Sequence, residues 1–159
     1  MSDITPNAAT AVRVRPATRD DLAAVERLLV ASGLPLDGVG EALPNFVVAE
    51  AGDGQVVGVA GLEVCCDNAL LRSVAVREEW RSHGLGRALV ARVVSDAEAR
   101  GIRALYLLTT TAERYFPTFG FEKIAREEVP ADVRETDQFR GGCCASATVM
   151  RRPLCSTAT

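Results

Sequence analysis

Val12-Arg13-Val14-Arg15 alternates apolar and charged positions, the period of a short strand. The period then changes. Thr18 followed by Asp20 and Asp21 caps a helix on which Leu22, Val25, Leu28 and Leu29 recur at helical spacing, and Gly33 closes it. Residues 34–38 read as a loop, with a helical turn over Glu41-Ala42-Leu43 ahead of Pro44. Two β-rich runs follow, 46–50 and 56–64, joined by Ala51-Gly52-Asp53-Gly54, which is turn chemistry for an antiparallel hairpin. A third strand covers 69–76.

The second half is patterned differently. A helix from Leu85 to Arg100 carries Leu85, Leu89, Val93 and Ala97 on one face and stops at Gly101, and 104–109 is a buried strand. A short helix is expected over 112–119, where Pro117 fits only close to its start or in an irregular turn. Residues 121–128 are expected to return as a strand, 130–135 to make a helical turn, and 145–150 to form the last strand. The elements predict a mixed α/β (α+β) domain around one sheet, spanning residues 12–154, with loose segments at 1–11 and 155–159.

Composition narrows the class. A chain of 159 residues, 48% hydrophobic and 25% charged, can bury a core as a single domain without disulfides or metal. A net charge of -3 gives no basic footprint for nucleic acid. No apolar run is long enough to span a bilayer and the first residues lack the pattern of a signal peptide, so a cytoplasmic protein with no membrane partner is expected. The five cysteines, Cys65-Cys66, Cys143-Cys144 and Cys155, form neither a disulfide framework nor a CxxC zinc pattern and read as reduced thiols, and no metal site is expected.

The chemistry concentrates between the third strand and the long helix. In Arg81-Ser82-His83-Gly84-Leu85-Gly86-Arg87, glycines at 84 and 86 let backbone N–H groups crowd around an anion. The helix N-terminus adds unsatisfied donors and partial positive charge, and Arg81 and Arg87 add charge-assisted hydrogen bonds. A pyrophosphate fits such a cradle. The run is neither a dinucleotide-fold Gly-x-Gly-x-x-Gly nor a P-loop, because no third glycine and no lysine follow. It resembles the Arg/Gln-x-x-Gly-x-Gly/Ala signature of the GCN5-related N-acetyltransferase (GNAT) superfamily, and the order of elements is similar from about Val12 to Met150.

The resemblance implies acetyl-CoA as cofactor, its pyrophosphate on the amides of Arg81, Ser82, His83, Gly84, Leu85, Gly86 and Arg87 and its pantetheine along Val74, Ala75 and Val76. Leu107-Leu108-Thr109-Thr110-Thr111-Ala112 is similar to a run in amino-acid N-acetyltransferases related to acetylglutamate synthases. Thr110 and Phe116 are then expected on the cofactor, Thr109 on the substrate, and an amino-acid-like amine as that substrate. The segments 33–38, 69–76 and 143–150 resemble N-acetyltransferases encoded in arsenic-resistance operons, which extends the acceptor to arsenic- or phosphorus-containing analogues. The GNAT fold also implies a monomer or homodimer.

Two departures from the family pattern matter. The tyrosine that commonly protonates the leaving thiolate stands where this chain has Phe116, with Tyr115 one step away, and the usual glutamate base corresponds to Leu70. Glu63 on the preceding strand is the candidate base, with a solvated or ion-paired side chain as its alternative, and Tyr115 is either the proton donor or a packed aromatic. By period two, Leu70, Arg72, Val74 and Val76 share a face. Arg72 is then aimed to hold a substrate carboxylate or other oxyanion in its planar fork, or else to make a structural salt bridge. Ser73 and Ser146 either touch substrate or satisfy neighbouring backbone. Cys143-Cys144 either binds a soft ion such as trivalent arsenic or packs as small apolar groups. The competing functions are a non-catalytic acetyl-CoA-binding or arsenic-sensing module and a peptide N-acetyltransferase.

Overall fold

Thr18 starts the first helix through a capping box. Its N–H donates to Asp21 Oδ2 at 2.7 Å and its hydroxyl to the same oxygen at 3.1 Å. The computed structural model describes residues 12–34, 36, 38–65, 67–80, 84–109, 116–134 and 148–154. These divide into two compact units, Met1–Gly61 with Ser73–Arg92 and Leu62–Arg72 with Val93–Thr159.

In the first unit, strand β1 (Val12–Pro16) leads through a 3-10 turn (Arg19–Asp21) into helix α1 (Leu22–Ala31). Gly33 ends that helix at φ +72°, a left-handed stop that glycine takes without a Cβ penalty. Helix α2 (Val39–Ala42) and a 3-10 turn through Pro44 (Leu43–Asn45) deliver the chain to β2 (Phe46–Ala51). Strand β2 pairs antiparallel with β1 on one side and with β3 (Val56–Cys65) on the other, and β4 (Asn68–Val76) lies next to β3. Val25 and Leu29 of α1 meet Val39, Leu43, Phe46, Val48, Val59 and Ala75 in one core.

In the second unit the order is β3-β4-β5-β7-β6, with β5 at Ala104–Thr109, β6 at Glu122–Ile124 and β7 at Thr148–Pro153. Strand β5 runs parallel to β4 over Asn68–Leu70 against Ala104–Tyr106, where that ladder stops, and antiparallel to β7 over its whole length. Leu70 and Tyr106 pack with Val129, Val149 and Val133 of the short helix α4 (Ala131–Arg134). Helix α3 (Leu85–Ala99) contributes to both units, and its predicted apolar face of Leu85, Leu89, Val93 and Ala97 is buried throughout.

Four expectations are corrected. Strand β6 ends at Ile124 instead of reaching Glu128, because Arg126-Glu127-Glu128 offers no apolar alternation and turns as a 3-10 element that returns Val129 to the core. Strand β7 runs on to Pro153, since β5 pairs with it as far as Ala104↔Pro153. The described part of the expected helix over 112–119 is a 3-10 turn, Phe116–Phe119, in keeping with a proline that supplies no N–H to an α-helical ladder. Finally, Ser73 sits at φ +60°, so the period-two face of β4 does not carry from Arg72 to Val74: a left-handed residue interrupts the pleat as a bulge does.

Candidate active site

On the second unit, β3 and β4 bring two of the candidate residues together. Arg72 Nη1 donates to Glu63 Oε1 at 3.0 Å, with the Arg72 side chain 0% and the Glu63 side chain 23% exposed. The guanidinium lies underneath and the carboxylate is the outer member of the pair. Arg72 stands two residues past Leu70, the last residue of the β4–β5 ladder. Leu70, at the position of the usual family glutamate, is fully buried in the core and can carry no acid–base chemistry.

Ser73 follows at once. A non-glycine residue at φ +60° in the interior of a strand is uncommon and costs of order 1–3 kcal/mol. Its side chain is buried, and the strand resumes through Val74, Ala75 and Val76, of which Ala75 enters the core of the first unit while Val74 and Val76 stay half-buried.

The cradle predicted at the start of α3 lies on the first unit. Gly84 has φ +78°, which glycine takes without a Cβ penalty, and open space on the side where a Cβ would stand. Leu85 anchors the first turn in the core, and Arg87 is exposed. A cavity of about 360 Å³ opens beside this terminus, walled by Val12 and Val14 of β1, Glu79, Trp80, Gly84, Leu85 and Ala88. Sequence reading singled out neither Trp80 nor the β1 valines. The available signal was the position of Trp80, just ahead of the glycine loop.

Thr109 ends β5 half-buried, paired with Thr148 of β7. Phe116 is buried, and its ring meets that of Phe121 edge-on with centroids 5.8 Å apart, which makes it a packing residue of the turn as well as a candidate cofactor contact. Arg81, Ser82, His83, Thr110, Tyr115, Ser146 and the pair Cys143-Cys144 lie outside the described residues. Cys65 is a buried thiol whose Sγ donates to the Glu63 carbonyl oxygen at 3.4 Å. Among the described residues no cluster of His, Cys, Asp and Glu could hold a metal ion.

Comparison with known proteins gives a consistent picture. Residues 42–123 match the family described as the acetyltransferase (GNAT) domain. An amino-acid acetyltransferase of Aeromonas salmonicida is 33% identical over 92 residues, which is 57% of this chain and 21% of that protein. The chain therefore spans about a fifth of the length of that relative. Among solved structures, a Mycobacterium tuberculosis protein in complex with CoA superposes with a TM-score of 0.78 at 26% identity, covering 90% of this chain and 99% of that one. N-acetylglutamate synthase of Neisseria gonorrhoeae, complexed with coenzyme A and N-acetyl-glutamate, shares the fold with a TM-score of 0.79 at 23% identity, covering 92% of this chain and 36% of that one.

Proposed function

The chain belongs to the GNAT acetyltransferase family, and on that premise we propose that it moves an acetyl group from acetyl-CoA to the primary amine of a small amino-acid-like substrate. The observation that carries the reading is the start of α3. A left-handed Gly84 with open space beside it leads into a 15-residue helix, an N-terminus whose partial positive charge and N–H donors suit a pyrophosphate, and the exposed Arg87 stands in its first turn. These residues fit coenzyme A. Gly84, Leu85, Gly86 and Arg87 would hold its pyrophosphate, with Arg81, Ser82 and His83 completing the loop, and Val74, Ala75 and Val76 its pantetheine, with Thr110 and Phe116 alongside. The bound molecule supplies a thioester whose acetyl carbon accepts the amine, the thiol leaving with one proton.

The acceptor follows from Arg72 and Glu63. Arg72 offers a planar fork for the substrate's carboxylate, or for the oxyanion of an arsenic- or phosphorus-containing analogue, and Glu63 is a partly exposed carboxylate able to take the amine's proton. Ser73, Thr109 and Ser146 complete the substrate contacts, and Tyr115 is the proton donor to the leaving sulfur. The relative's name, amino-acid acetyltransferase, supports the same substrate class. Among the described residues no helix is long and apolar enough to cross a membrane. A cytoplasmic protein, monomeric or homodimeric, suits such a small-molecule enzyme.

One observation favours a second reading. Leu70, buried where the family commonly carries its glutamate, would equally suit a module that binds acetyl-CoA without turnover. Thiol release from acetyl-CoA separates the two. The panel is amino acids, glutamate-like phosphinic and arsinic analogues, polyamines and a lysine peptide. Acetylation of an amino-acid-like amine that falls at least about 100-fold in Arg72→Ala supports the enzyme. Acetyl-CoA binding with no acceptor turned over would support the module, and turnover of the peptide alone would point to a peptide acetyltransferase.

A further inference from the structure

Resting on the acetyltransferase reading, we infer that Glu63 is a base released by substrate: it occupies the anion site of Arg72 until the acceptor's carboxylate takes its place. Three features of the pair lead there. The first is the asymmetry of burial, with an arginine side chain 0% exposed beneath a glutamate 23% exposed, so that Glu63 is the part of the pair which an arriving molecule meets. The second is the contact itself, one nitrogen to one oxygen, Nη1 to Oε1 at 3.0 Å. A single charge-assisted hydrogen bond is a weaker hold than the bidentate geometry that guanidinium and carboxylate can adopt, so an arriving carboxylate competes with Glu63 for Nη1.

The third feature is the penalty for leaving. A buried guanidinium stripped of its counter-charge is strongly unfavourable, and Glu63 therefore leaves when another oxyanion replaces it. Exchange couples the release of the base to the arrival of a carboxylate. The freed Glu63 then takes a proton from the substrate ammonium: the N–H bond breaks, its electron pair stays on nitrogen as the nucleophile, and an O–H bond forms on the carboxyl group. An amine without a carboxylate leaves Glu63 locked on Arg72 and gains no base. The pair thus selects acceptors through turnover as well as through binding. Arg72 acts on the reaction by choosing its anion, and Glu63 by accepting the proton.

The test measures kcat and KM for thiol release from acetyl-CoA with L-glutamate, L-glutamine and L-methionine, each against its own α-amide, in wild type, Glu63→Gln, Glu63→Asp and Arg72→Lys. The α-amide keeps the amine and side chain but carries no α-carboxylate. For the amino acid that turns over best, the wild type is expected to lose about 30-fold or more in kcat on going to the amide. Glu63→Gln is expected to lose about 100-fold in kcat with the acid, the usual scale for a general base, and to stop distinguishing acid from amide in kcat. Glu63→Asp should restore part of that discrimination, which a purely structural carboxylate would not do. Thermal melting of Glu63→Gln, which keeps the side-chain shape and one carbonyl acceptor, separates misfolding from lost chemistry. If Glu63→Gln keeps kcat within about threefold while folded, or if wild type turns over acid and amide with equal kcat, the exchange is overturned. Absence of thiol release with every acceptor in wild type overturns the acetyltransferase reading and the inference with it.

Discussion

Arg15 forks onto Asp21, Nη1 to Oδ2 at 2.8 Å and Nη2 to Oδ1 at 3.0 Å, while its Nε reaches Glu50 Oε1 at 2.7 Å. One guanidinium thereby ties β1 to the capping turn of α1 and to β2. The hydrogen bonds from Arg15, helped by the Thr18 N–H, hold the Asp21 carboxyl at about 2 against an ordinary value of 3.8, although burial opposes them. Glu50 is lowered as well, chiefly by its hydrogen bond from Arg15.

A carboxyl whose folded-state pKa is depressed stabilises the protein above its unfolded value, and that contribution is lost as the pH falls through the folded value. For Asp21 the window runs from about 4 down to about 2 and the contribution is about 2 kcal/mol. Urea denaturation at neutral pH and near pH 2 should show the wild type losing about 2 kcal/mol more than Arg15→Met over that interval. Equal losses in the two proteins would remove Asp21 from the acid response.

Gly61 lies against the ring of Phe46, and a Cβ built there overlaps three ring atoms. Phe46 is fully buried, so the ring has nowhere cheap to go. Gly61→Ala is expected to lower unfolding free energy by about 2–3 kcal/mol. Gly58→Ala meets mainly the terminal methyl of Leu89, which can rotate, and should cost less. Denaturant midpoints of the two variants give the comparison; a smaller loss at Gly61 would contradict the packing described.

Ser73 at φ +60° makes a second prediction about backbone. A β-branched residue tolerates the left-handed region worst, whereas glycine enters it freely. Ser73→Val should be less stable than Ser73→Gly by about 2 kcal/mol. If valine proves as stable as glycine by thermal or urea melting, the left-handed kink is not what the strand requires.

Gly84→Ala isolates the conformation of the cradle from its space, because φ is +78° there yet a Cβ would meet nothing within 4 Å. The strain is about 1–2 kcal/mol, and relief by shifting the loop would displace the N–H groups proposed for pyrophosphate. Coenzyme A affinity by calorimetry is expected to fall about tenfold in Gly84→Ala. In Arg87→Ala the loss should be smaller and should shrink with added salt, as for an exposed charge. Unchanged affinity in both would place the coenzyme elsewhere.

Much of this architecture was legible because it is local. The Thr18–Asp21 capping box, the glycine stops at Gly33 and Gly101, the hairpin turn at Ala51–Gly54 and the buried stripe of α3 are each settled by residues a few positions apart. The start of α3 at Leu85, behind a left-handed Gly84, belongs with them, because a glycine ahead of a periodic apolar stripe is a local signal visible in a sequence.

What required the fold is non-local. Glu63 and Arg72 were each recognisable as candidates, but their pairing is a contact between two strands, with one member buried and the other partly exposed, and neither property is set by nearest neighbours. The same holds for β6 stopping at Ile124 and β7 running on to Pro153, because strand ends are decided by what lies alongside. Ser73 is the sharpest case. A serine carries no sequence signal for φ +60°; a buried residue is held in the left-handed region by its packing, which only the tertiary structure supplies, and the kink interrupts the period-two alternation that the sequence by itself predicted.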